Sequence, residues 1–234
     1  MKLRDLYTTL AGFELQSLNC TDKENITIKP NHQTRVLIGI NEALTRLYTR
    51  FPLKEKIVII ELVEHITYYH LDPCYAESRA CDLGTKFPYI KDMHCEPFED
   101  DVVRILNVFD SYGNKKPLND SGAPMSIFIP KNKTLQVPNP VPGVALSIAY
   151  QALHPKLLKG DDDVDIEVPQ VLVGALTAYV GYKMYTSMNT PEMTAKGQEY
   201  LALFGSICDD AELTDTAEVS VSTSETQFEK NGWV

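Results

Sequence analysis

Two stretches with helical apolar spacing stand at opposite ends of this chain, and a β-branched, turn-punctuated middle separates them. At the N-terminal end Leu3, Leu6, Tyr7 and Leu10 recur on one side of a helix that heads toward Leu18, with Gly12 weakening its middle. A second helix is predicted from an Asn31 cap. Its stripe is Leu37, Ile40, Leu44, Leu47, Tyr48 and Phe51, its other sides carry Arg35, Asn41, Glu42, Arg46 and Arg50, and Pro52 stops it. At the C-terminal end Pro169 suits a first helical position, and Leu172, Ala175, Leu176, Tyr179 and Tyr182 run along a helix to about Ser187. Thr190, Pro191 and Glu192 then start a partner with the stripe Met193, Gly197, Tyr200, Phe204 and Ile207. A single amphipathic stripe cannot bury itself, so the two ends need each other for a core.

The middle reads as β structure. Lys56 to Glu61 and Ile66 to Leu71 are β-rich runs expected to form a small antiparallel pair with each other. Val102 to Phe109, Ser126 to Ile129, Thr134 to Val137 and Val144 to Tyr150 are short apolar runs between turn signals such as Gly113-Asn114. The prolines at 130, 138, 140 and 142 belong in loops or at sheet edges, because proline cannot donate to a ladder. The fold class expected is α+β: a discontinuous α-helical bundle, 1–51 and 168–210, with an inserted β-rich sandwich or barrel-like domain, 52–167, and an extended acidic C-terminal arm, 211–234.

Composition removes several functions. Among 234 residues the net charge is −10, which argues against a protein that neutralises phosphates, while a like-charged wall would keep DNA from sticking. No run approaches the roughly 20 apolar residues that span a bilayer. The N-terminus has an acid at position 5 and no apolar stretch of a secretory signal. Five cysteines without paired spacing read as free thiols of a reducing compartment.

The motifs of nucleotide-binding loops, serine hydrolases and zinc peptidases are missing from the sequence, and no catalytic residue or cofactor is expected. Asp161-Asp162-Asp163-Val164-Asp165 lacks the glycine and glutamate of a calcium loop and reads as solvated. His70, Cys74, Cys81, His94 and Cys95 are the one group of candidate zinc ligands, but Cys74 and Cys81 are too far apart for a usual cysteine pair. Glu61, Glu64 and His65 form a charged hairpin end with no nucleophile to activate.

Two features point instead to assembly. Gly174, Ala178 and Gly181 make a small-residue helix face that admits another helix closely and suits subunit contact. The arm is acidic and polar, a composition of disorder, yet Glu218-Val219-Ser220-Val221-Ser222 alternates with the period of a strand added to another subunit's edge. Phe228 and Trp233 have the character of interface anchors, with Val219, Val221 and Val234 beside them.

With these segments placed, the chain resembles head-to-tail adaptor (connector) proteins of short-tailed bacteriophages, the tail-tubular-protein-A-like group. The resemblance lies in the helix Ile40-Asn41-Glu42-Ala43-Leu44-Thr45-Arg46-Leu47-Tyr48-Thr49-Arg50-Phe51 and in Ile66-Thr67-Tyr68-Tyr69-His70-Leu71. It closes in Val168-Pro169 followed by Ala175-Leu176-Thr177-Ala178-Tyr179-Val180. It implies a structural, non-enzymatic virion protein of the neck, assembled in the host cytoplasm. Such a protein forms a homo-oligomeric ring of about twelve copies that closes by rotation. The helical domain would bind the portal protein, and the β-rich insertion would carry the tail nozzle and tail fibre proteins. DNA would pass through the ring without sequence-specific binding, with no membrane involved. Two other readings stay open: a tail-completion or head-closure protein of another phage type, and a zinc-binding module or metal-dependent enzyme built on the histidine–cysteine group.

Overall fold

Helix α1 (Leu3–Gly12) forms where the apolar spacing predicts it, with Leu3, Leu6, Tyr7 and Leu10 all buried. It ends at Gly12 instead of continuing to Leu18: glycine is a weak helix former, and Leu15 and Leu18 reach the core through turns. The computed structural model describes residues 1–214 apart from 23, 25, 80–86, 94–96 and 124. It is α+β and divides into two compact units, residues 1–53 with those from 156 onward, and Lys54–Pro155.

In the first unit a two-strand ladder, β1 (Thr21–Asp22) and β2 (Thr27–Ile28), leads into α2 (Pro30–Arg50). Pro30 itself opens α2, one residue ahead of the expected Asn31 cap, because a proline's missing N–H costs nothing in a first turn. Leu37, Ile40, Leu44, Leu47 and Tyr48 are buried along it, and Phe51 leaves it in an extended conformation. Helix α3 (Gln170–Thr186) is buried nearly all round, from Leu172 to Tyr185, as a central helix must be. Pro169 caps it from outside instead of occupying its first turn. Asn189, with φ of 56°, turns the chain back. Helix α4 (Pro191–Leu213) starts as predicted: the Thr190 hydroxyl accepts the Met193 N–H at 3.4 Å, and Glu192 lies in the first turn. It runs three residues past the expected end at 210.

The segment 156–167, assigned from sequence to the insertion, lies with the helical unit. Its backbone bonds the N-terminus, with the Leu3 N–H donating to the Val164 carbonyl at 3.1 Å and the Ile166 N–H to the Met1 carbonyl at 2.7 Å. Asn41 of α2 holds it from the other side, its side chain bonded to both the carbonyl and the N–H of Leu157 at 3.0 and 2.9 Å.

The second unit holds two antiparallel sheets. One has the order β5 (Ile90–Lys91), β3 (Glu55–Glu61), β9 (Ala145–Ala152), β6 (Val102–Phe109). The other has the order β4 (Tyr68–His70), β8 (Thr134–Gln136), β7 (Phe128–Lys131). The expected pairing of β3 with β4 is not formed. β3 instead pairs with β9 along its whole length, from Glu55 opposite Gln151 to Glu61 opposite Ala145, and β4 pairs with β8. The longer ladder satisfies more backbone groups, and residues 62–67 carry the chain from one sheet to the other. Val58, Ile60 and Ile148 from the first sheet share one core with Tyr69 and Leu135 from the second and with Leu71 just after β4. Pro130 lies in β7, an edge strand, where proline is tolerated.

Candidate assembly surfaces

The small-residue face of α3 receives a helix of the same chain. A Cβ on Gly181 would stand 3.2 Å from the Tyr200 ring, one on Gly174 would stand 3.4 Å from Ile207 Cδ1, and Ala178 is buried. From the other helix, a Cβ on Gly197 would meet Thr186 Cγ2 at 2.6 Å. The contacts run 174 with 207, 181 with 200 and 186 with 197, so α3 and α4 are antiparallel. The helix expected from a neighbouring subunit is α4, and this face is a core contact of the helical unit. Val219, Val221, Phe228, Trp233 and Val234 lie outside the described residues.

Polar side chains lock α2 onto α3 and α4. Arg46 Nε donates to the Tyr179 hydroxyl at 2.6 Å, which donates to Glu42 Oε1 at 2.9 Å, while Lys183 Nζ lies 2.9 Å from Glu42 Oε2. The Lys183 hydrogen bond, reinforced by Tyr179 against a burial penalty, holds the Glu42 carboxyl below its usual range. At the far end Arg50 reaches Glu212 at 2.6 Å and Asp209 at 2.6 Å, pinning the last turn of α4 to the last turn of α2. The segment that follows α4 therefore departs from a fixed point.

The histidine–cysteine group is only partly in view. The His70 ring bonds the Thr134 hydroxyl at 3.1 Å. Burial, then the Asp72 carboxylate beside it, pushes the Cys74 thiol up to about 11, which keeps it protonated and a poor ligand or nucleophile. Cys81, His94 and Cys95 lie outside the described residues. Among the described residues no three histidine, cysteine or acidic side chains are grouped to hold a metal ion. Among the described residues Cys20, Cys74 and Cys208 form no disulfide. Glu61 is held by Lys91 at 2.8 Å, while Glu64 and His65 are exposed. Asp163 is engaged by Lys2 and Arg4 at 3.2 and 3.3 Å, so the acidic loop ties down the N-terminus.

The β-rich unit carries exposed apolar surface that sequence spacing left unnoticed. On β3, Ile57 is 70% exposed and Ile59 43% exposed on the face opposite Val58 and Ile60. Between the ends of the two sheets an apolar cleft of about 270 Å³ opens, floored by Leu62, Ile127, Val137 and Leu146. Met125 and Val141, 68% and 57% exposed, form its rim. The signal for it is diffuse: its walls come from four separated stretches of sequence.

Among the described residues no helix is long and apolar enough to cross a membrane. An α+β chain whose residues 22–225 match the model of a phage adaptor family is a phage adaptor protein and a virion component. It belongs to the SU10 adaptor protein family, whose model matches residues 22–225 and so spans both units. Among curated proteins none matches the chain at a significant level. The resemblance to phage head-to-tail adaptors thus holds at the level of the family.

Proposed function

We propose that this adaptor works as a structural ring at the phage neck, joining the portal to the tail nozzle and fibres and surrounding the channel through which DNA leaves. The family match across both units is the observation that carries this reading. In it the helical unit docks on the portal and the β-rich unit, with its exposed apolar surface, receives the tail components. About twelve copies close head to tail by rotation. The arm, through Val219, Val221, Phe228, Trp233 and Val234, engages a neighbouring chain. The net charge of −10 suits a wall that DNA passes without adhering. The role is mechanical, and no chemistry is assigned to it.

Imaging of the phage particle at low resolution, with this subunit labelled and counted around the axis, tests the proposal. A ring between the portal and the nozzle is expected. A protein that stays monomeric and fails to bind isolated portal rings would overturn it.

A further inference from the structure

We infer that the apolar cleft of the β-rich unit is the receptor for Trp233 of a second copy. This rests on the adaptor reading and names the surface its arm would take.

Three observations carry it. The cleft holds about 270 Å³, and exposed Met125 and Val141 form its rim, so a large apolar side chain enters from solvent without unfolding anything. Trp233 is the only tryptophan of the chain, and it lies in a stretch whose acidic, polar composition offers no core of its own. An indole is the side chain that gains most from such a site. It brings roughly 150–250 Å² of surface to bury, and its N–H needs one acceptor, which the exposed amide of Asn139 at the rim supplies.

Reach permits a second copy, and the ring reading selects it over the chain's own cleft. Helix α4 ends at Leu213, held by the Arg50 clamp one residue earlier. The residues 215–234 that follow extend to about 70 Å at full stretch. A unit of about 100 residues has a radius of gyration near roughly 13 Å, so the arm is long enough to pass its own domain and enter the next. Repeated around a closed ring, each arm fills its neighbour's cleft and each cleft is filled, the heterologous contact that rotational closure requires.

The test uses the tryptophan as its own reporter. The full chain carrying Trp233→Ala contains no tryptophan, so a synthetic peptide of residues 215–234 supplies the only indole in the mixture. Titrating that acceptor into the peptide is expected to give a saturable blue shift of tryptophan emission. Val141→Asp or Met125→Glu in the acceptor, both rim positions exposed enough to change without unfolding, should weaken binding by about tenfold or more. No blue shift, or affinity unchanged in both rim variants, overturns the assignment. Emission of the unmodified chain that stays blue at every dilution would place the arm in its own cleft and overturn the contact between copies. A peptide that binds while particles show no ring of this subunit would remove the adaptor ring and leave the cleft assignment standing. A ring without peptide binding would do the reverse.

Discussion

The Tyr89 hydroxyl serves both backbone groups of His70, accepting its N–H at 2.8 Å and donating to its carbonyl at 2.9 Å. β4 is the edge of the three-stranded sheet, and His70 would otherwise present an open pair of groups there. The ring that carries this hydroxyl is itself fixed, stacked on Tyr75 at 4.8 Å and edge-on to Tyr69 at 5.1 Å. Tyr89→Phe keeps the rings and removes the oxygen. It should cost about 1–3 kcal/mol, the penalty of leaving partly buried groups unpaired, read as a lower urea midpoint with an unchanged slope.

Two glycines on α4 should respond in opposite senses. Gly197→Ala puts a Cβ 2.6 Å from Thr186 Cγ2, with the Thr186 nitrogen and Tyr182 carbonyl oxygen at 3.3 and 3.4 Å behind it. Overpacking of this kind should cost about 1–3 kcal/mol and outweigh the gain in helix propensity. At Gly205 a Cβ meets nothing within 4 Å, so Gly205→Ala should stabilise by about 0.5–1 kcal/mol. Thermal midpoints of the pair decide it.

Acid should loosen the contact between α2 and α3. The Lys183 hydrogen bond to Glu42 depresses that carboxyl below its ordinary 4.5. A depressed folded pKa gives stability that is fully present above pH 4.5 and is lost as the pH falls through the lower, folded value. Glu42→Gln should remove that part of the pH dependence and leave the neutral-pH fold intact. Denaturation midpoints measured from pH 6 down to about pH 2 are the check, and identical acid profiles for both proteins would contradict it.

Removing everything after Thr214 should leave the protein folded, because Arg50 already holds Glu212 and Asp209 and the helical core closes before that point. Circular dichroism should match the full chain, while incorporation into particles should fall. Loss of helical signal in the truncated protein would contradict this.

The helices were readable because their causes are local. Thr190, Pro191 and Glu192 start α4 by capping chemistry that needs no distant partner, and the stripe on α2 buries the same leucines that its spacing selects. The candidate surfaces were less legible. The small-residue face of α3 announces a close helix without saying whose, and the cleft has no local signature at all.

Sequence alone determined the helices α1 to α4 with their apolar stripes, the strands other than β1, β2 and β5, and that the chain carries a long acidic end with one tryptophan. Tertiary structure decided the pairings. β3 takes β9, some ninety residues away, over the nearer β4 because the full-length ladder satisfies more backbone groups and puts Val58 and Ile60 in the core. Segment 156–167 joins the helices because the open N–H and C=O groups at Met1 and Leu3 find partners there. Such choices compare all available partners at once, and the free energy that settles them belongs to no single stretch of chain.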